Sequence, residues 1–262
     1  FYVERKLKIK ERQVNQELAD EEFAAEGKLP ADLGASVYAR PRIVEELEGE
    51  GKTKLIDAAD DSGADEDLLA VFQDRLPDGK LPAEGYLLQT GPDGALVVVG
   101  DELGGIRARQ TLRRLERQGA GAVRIADWPG QAWRGFFVIP YTPKAIPALE
   151  GLVRDFLVPL KCNLLVLQLD YHFKYKSHPE VREGKQVFSK KQLRRLARLC
   201  REEGITLAPL LNCLGHQSWK QEIHGLLRAH PEFEEVPDAK TPESDPESKK
   251  FYCRSWCPLH PE

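Results

Sequence analysis

The sequence predicts an α/β protein: a small α+β domain followed by a stretch in which strands and helices alternate. Three observations carry this. Asn163 to Asp170 (NLLVLQLD) is an almost unbroken apolar run of strand length, as expected for a strand covered on both faces. Ser189 with Gln192 three residues later forms a capping box. It opens a helix with Leu193, Leu196, Ala197 and Cys200 on one face, and Gly204 closes it. The run from Thr206 (TLAPLL) then reads as another buried strand leading to Gly215-His216. With the elements on either side, residues from Trp133 onward read strand, helix, strand, helix, strand, helix. That is the opening of a (β/α)8 barrel or of a doubly wound sheet.

The bulk composition suits a globular chain. In 262 residues, 41% are hydrophobic and 31% charged, and the net charge is -4. This balance gives no reason to expect a nucleic-acid partner. No apolar run reaches the length of about 18 residues that a membrane span needs. The N-terminus, FYVERKLKIKER, lacks the apolar core of a signal peptide. Five cysteines, an odd number without a CxxC pair, do not suggest a disulfide framework, and Cys253 and Cys257 lack a partner cluster for zinc. No methionine occurs anywhere, so the chain is expected to be a processed or partial product.

Taken in order, residues 1–50 are charge-dense and weakly patterned. Leu7, Val14 and Leu18 could line a helix, and Pro41-Arg42-Ile43 suggests a break before a second short helix. Residues 51–130 read as an α+β domain. Lys54 to Ala59 suggests a strand and Asp65 to Arg75 a helix. GYLLQT (85–90) and ALVVVG (95–100) read as strands joined by Gly91-Pro92-Asp93-Gly94, a hairpin signal. Gly105 to Gln118 reads as a helix with Ile106, Leu112 and Leu115 inward and most of its arginines outward, a solvated face rather than a nucleic-acid patch.

Residues 131–262 carry the alternation. RGFFVIPY (134–141) is strand-like, and Pro147 suits the first turn of the next helix. Leu149, Leu152, Val153, Phe156, Leu157 and Leu160 fall on one face of that helix. After the third strand, Gln221 to Ala229 reads as a helix and Glu234 to Lys250 as a Pro/Glu/Ser-rich loop. A full barrel takes roughly 250 residues, so this segment would be about half of one, ending before a fourth strand.

In parallel β/α folds, ligands are met at the C-terminal ends of the strands. Asp170 and His216 fall there, a carboxylate and an imidazole able to hydrogen-bond a ligand hydroxyl. Arg134 opens its strand, at the opposite end. Its long side chain could reach into a deep pocket, or could form an inter-domain salt bridge. His172 and His178, with Asp170 and His216, match no tight metal-ligand spacing. GxSxG, Walker and dinucleotide fingerprints are missing, and no cofactor is expected. Nor does a carboxylate pair end a strand, as a two-carboxylate glycosidase requires.

The order of these motifs resembles the family 20 glycoside hydrolases, the β-N-acetylhexosaminidases. The shared text is the helix GIRARQTLRRLERQ before IADWP, then Trp133-Arg134-Gly135, Lys161-Cys162-Asn163-Leu164-Leu165 with Asp170, and Gly215-His216. LGHQSW, FKYKSHPEV and YCRSWCPLHPE look like a divergent bacterial branch. The resemblance runs from about Lys54 to Glu262. It implies that residues 131–262 are the first half of a (β/α)8 barrel. It also implies a retaining mechanism in which the substrate's own 2-acetamido oxygen attacks the anomeric carbon. The Asp-Glu pair that assists this lies at the end of the fourth strand, expected beyond Glu262. The chain alone is therefore expected to be inactive.

By the same resemblance Arg134, Asp170 and His216 are substrate-binding residues of a pocket for terminal N-acetylhexosamine on a glycan; such enzymes commonly act outside the cytoplasm, periplasmic or secreted, and the sequence leaves the compartment open. Two departures stand out. Ile139 replaces an Asp of the first strand, and Asp170 lacks the usual Asp-Gln-Gly-Trp continuation. They keep open a non-catalytic carbohydrate-binding relative of the same fold.

Overall fold

The computed structural model describes residues 39, 41–55, 64–212, 215–219, 222–237 and 253–260. The stripe of Leu7, Val14 and Leu18, most of the proposed 54–59 strand and most of the 234–250 loop lie outside them.

The first unit is a four-stranded antiparallel sheet with two helices. Its strands are β1 (Ile43–Glu46), β2 (Tyr86–Thr90), β3 (Ala95–Val99) and β4 (Val123–Asp127), in the order β1-β4-β2-β3. β2 and β3 form the expected hairpin, with Thr90 opposite Ala95. β1 stands where a short helix was expected. IVEE alternates half-buried and exposed residues, a period of two that suits an edge strand. β4 was not foreseen; VRIAD is short and has an arginine within it. Helix α1 (Ala64–Phe72) continues into a 3-10 turn at Gln73–Arg75. It buries Leu68 and Phe72 with Leu76 against Leu87 and Ala126, on one face of the sheet.

Helix α2 (Glu102–Gln118) covers the other face, packing Ala108 and Leu112 on Tyr86, Leu88, Ala95, Val123 and Ile125. It starts a turn earlier than its apolar pattern suggested, because Asp101 is the cap. Asp101 Oδ1 accepts from Gly104 N at 2.7 Å, satisfying one of the free donors of the first turn.

The second unit is a parallel sheet of β5 (Gly135–Val138), β6 (Leu164–Gln168) and β7 (Thr206–Leu210), in that order. β5 is shorter than RGFFVIPY because Pro140 has no N–H for a ladder. Between the strands run α3 (146–157) and α4 (Lys190–Glu202). α3 starts as an α-helix and widens to π geometry over Leu152–Leu157. Its buried apolar residues Ile146, Leu149, Val153 and Leu157 recur every three or four positions, the spacing of one helix face. The capping box of α4 is present as predicted, with Ser189 Oγ accepting from Gln192 N and Gln192 Oε1 from Ser189 N. Both helices pack on one face of the sheet around Leu165, Leu167, Leu196 and Cys200.

After β7 the chain forms a small hairpin, β8 (Ser218–Trp219) with β9 (Glu222–Ile223), and a short helix α5 (Gly225–Ala229). The sequence had suggested one helix from Gln221. The mixed α/β content and the β-α-β-α-β alternation are as expected. Among the described residues, no helix is long and apolar enough to cross a membrane.

Candidate functional site

The two units meet through a buried ionic network on the N-terminal side of the parallel sheet. Its centre is Glu84, whose backbone is left-handed (φ 57°). Glu84 Oε2 accepts from Arg107 Nε at 3.0 Å and Arg134 Nη2 at 2.5 Å, and Oε1 accepts from Asn163 Nδ2 at 2.9 Å. Burial alone would raise this carboxyl. Hydrogen bonds from Arg134 and Asn163 and the charge of Arg107 outweigh it, leaving Glu84 below the usual carboxylate range.

Most of the arginines of α2 were expected to face outward, and Arg107 is the buried one the pattern did not single out, at 2% exposed. It donates to the carbonyls of Glu203 (3.2 Å) and Gly204 (3.0 Å), the turn that follows α4. Gly204 has φ 66°, and a Cβ there would stand 3.3 Å from Leu103 Cδ2 and 3.4 Å from Ile106. Its glycine thus serves both the helix stop and the close approach of α2.

A second group lies beside the first. Lys161, also left-handed (φ 53°), reaches Asp127 Oδ2 and, at 2.9 Å, Tyr86 Oη. Burial draws the Lys161 ammonium down, with Asp127 opposing. Burial, followed by the Asp127 charge, pushes the Tyr86 phenol well up. Its hydroxyl sits 2.6 Å from Thr111 Oγ1. A cleft of about 220 Å³ opens here, lined by Arg42, Glu84, Asp127, Trp128, Arg134 and Lys161.

Arg134 therefore sits in the inter-domain salt bridge that its strand position allowed. Besides Glu84 it donates to the carbonyls of Lys161 (2.8 Å) and Gln131 (2.7 Å), and its own N–H is accepted by Asn163 Oδ1 at 2.9 Å. These contacts fix it at the strand-start end, apart from the other two sequence-predicted residues. A deep-pocket reach of its guanidinium is not the arrangement seen.

Asp170 lies two residues beyond the end of β6 and His216 six residues beyond the end of β7, on the C-terminal side of the sheet. Because the strands are parallel and Gln168 pairs with Leu210, the loops leaving them are neighbours. Asp170 has a left-handed backbone (φ 41°) and is half-buried. Its Oδ1 accepts from Asn212 N at 2.9 Å and its Oδ2 from Gln168 Nε2 at 2.6 Å. Each carboxylate oxygen retains a lone pair for a ligand donor. Tyr175 Oη donates to the Asp170 carbonyl at 2.8 Å, and burial together with the Asp170 charge pushes the Tyr175 phenol up.

His216 is exposed, also left-handed (φ 55°), with Nδ1 lying 3.7 Å from Cys253 Sγ. The fully buried Gln217 follows it, tied to Tyr171 Oη at 2.6 Å. In the sequence, Gln217 stands within LGHQSW with no role of its own. A polar residue directly after the candidate ligand histidine was the available signal.

Several other histidines face carboxylates. His178 pairs with Glu180, and His224 with Glu183, which raises the His224 imidazole. Among the described residues, no three His, Cys, Asp or Glu side chains converge as a metal site. Such an arrangement can bind polar hydroxyls with a carboxylate and an imidazole on a parallel-strand rim.

The fold is similar to part of that of solved β-N-acetylhexosaminidases. A crystal structure of a β-N-acetylhexosaminidase superimposes with a TM-score of 0.60, at 22% identity, covering 86% of this chain and 48% of that one. The GH20 β-N-acetylhexosaminidase from Streptomyces coelicolor A3(2) gives 0.56 at 18% identity, covering 87% and 54%. In sequence, the chain is similar to a beta-hexosaminidase of Akkermansia muciniphila, 29% identical over 203 residues. That match takes in 66% of this chain and 39% of the relative. No family model matches. The resemblance read from the sequence is thus borne out, and the chain spans about half the length of the relatives it matches or less.

Proposed function

We propose that this chain is the N-terminal part of a retaining exo-hexosaminidase that removes terminal N-acetylhexosamine from a glycan. The observation that carries the reading is that Asp170 meets the loop leading to His216 at the C-terminal rim of the parallel strands, its Oδ1 accepting from Asn212 N, within a fold shared with β-N-acetylhexosaminidases.

The sheet's second face supports the barrel expected from the sequence. Phe137, Val166 and Ala208 stand side by side in register on the face opposite the helices. Phe137 is 48% exposed, and its two neighbours are only half-buried. Further strands closing on this face would turn it into a layer of barrel interior.

In the proposed mechanism, Asp170 accepts hydrogen bonds from sugar hydroxyls while His216 contacts the ring from the neighbouring loop. The attack comes from the substrate's 2-acetamido oxygen on the anomeric carbon, with retention through an oxazolinium intermediate. A carboxylic acid, expected in the following strand, protonates the leaving oxygen, and water then opens the intermediate. Arg134 acts at a distance, holding the two units together below the pocket. No metal or organic cofactor takes part in this scheme.

The reading is tested by titrating N-acetylglucosamine into the complete polypeptide, followed by calorimetry. His216→Ala should weaken binding by about five- to tenfold, the effect of one lost hydrogen bond of about 1–1.5 kcal/mol. Unchanged affinity would remove His216 from the pocket.

A further inference from the structure

We propose that Gln217 is the positioning residue of the ligand-facing rim, fixing both the loop that carries His216 and the turn that carries Asp170. A carboxamide offers one carbonyl acceptor and two N–H donors. Gln217 uses all of these while fully buried. Its Oε1 accepts from Tyr171 Oη at 2.6 Å, beside Asp170. Its Nε2 donates to the carbonyls of Asn212 at 2.5 Å and Gly215 at 3.3 Å, which bracket the loop before His216. Its backbone joins two further segments: N donates to Arg254 O at 2.9 Å, and O accepts from His224 N at 2.8 Å.

The links continue to the proposed ligand groups. Asn212, held through its carbonyl by Gln217, donates its own N–H to Asp170 Oδ1 at 2.9 Å. Asp170 and His216 are both left-handed non-glycine residues, a conformation that persists only where the surroundings hold it. Gln217 is the side chain common to both surroundings.

Neither obvious replacement reproduces this. Leucine would leave the Asn212 and Gly215 carbonyls and the Tyr171 hydroxyl without their partner. Glutamate would accept from Tyr171 but turn a carboxylate oxygen toward two carbonyl oxygens. The fixing of the loop stands on these contacts alone; its consequence for sugar binding rests on the proposed hexosaminidase reading.

The test uses the complete polypeptide with two readouts, the His216 ring resonance (assigned by its loss in His216→Ala) and the affinity for N-acetylglucosamine. Gln217→Leu and Gln217→Glu should both move or broaden the His216 signal and weaken the sugar at least tenfold. Leu196→Ala, in the core under α4, should lower thermal stability while leaving both readouts in place. Tyr171→Phe, which removes one bond and keeps the ring, should shift the His216 signal to a lesser degree even if the Gln217 variants fail to fold. An unmoved His216 signal in the folded Gln217 variants, or in Tyr171→Phe where those do not fold, would overturn the assignment. If the wild-type protein takes no sugar but the His216 signal responds, Gln217 keeps its positioning role and the hexosaminidase reading falls.

Discussion

Glu84→Ala is expected to cost about 3–5 kcal/mol of unfolding free energy, the usual loss when one member of a buried ion network is removed. The carboxylate answers two guanidinium groups and the Asn163 amide. Without it Arg107, 2% exposed, keeps its charge in the junction but loses the carboxylate its Nε donates to. Glu84→Gln should cost less, because an amide oxygen can still accept from one donor.

The pH dependence has a defined sign. The folded-state pKa of Glu84 is depressed, so its contribution is fully present above the unfolded value near 4.5 and fades as pH falls through the folded value. Urea unfolding followed between pH 3 and 7 should therefore show a smaller acid-side slope in Glu84→Gln than in wild type. An Ala variant losing under about 1 kcal/mol would show that the junction contributes little.

Asp170→Ala carries the second large expectation, a loss of about 10- to 150-fold in kcat/KM on an N-acetylglucosaminide. That range corresponds to about 1.5–3 kcal/mol for a hydrogen bond to a charged group, conventional for a carboxylate that binds substrate. The variant also frees Asn212 N, which Asp170 Oδ1 now receives, so part of the loss will come from the loop. Asp170→Asn separates the two contributions. An amide oxygen can still accept from Asn212, and an effect near that of Asp170→Ala would then assign the loss to the missing charge.

What the sequence made legible was local. The capping box at Ser189, the apolar run through Leu165 and Leu167, and the turn between β2 and β3 each lie within a few residues, where short-range rules act. β1 was misread because four residues of edge strand carry little pattern, and its partner β4 is about 80 residues away. Arg107 escaped for the same reason. Among the five arginines of α2 nothing in the spacing marks one as buried. Its partners are Glu84, 23 residues back, and the 203–204 turn, 96 and 97 residues ahead.

The candidate site divides along the same line. The strand ends that Asp170 and His216 follow were legible because a strand's end can be seen in sequence and parallel strands bring such ends together. Arg134 began its strand, and which of its two options it took depended on Glu84, a residue with no local signal. Gln217 matters through side-chain contacts with Tyr171, Asn212 and Gly215 that only the folded loops create.

As proposed, this chain forms one half of a pocket for terminal N-acetylhexosamine, cleaved with help from the sugar's own acetamido group. The most direct measurement compares two chromogenic substrates of the complete polypeptide, a 2-acetamido glucoside and the plain 2-hydroxy glucoside, at equal concentration. The account predicts turnover of the first and none of the second, because only the acetamido oxygen can supply the nucleophile. No turnover of either, or equal turnover of both, would contradict it.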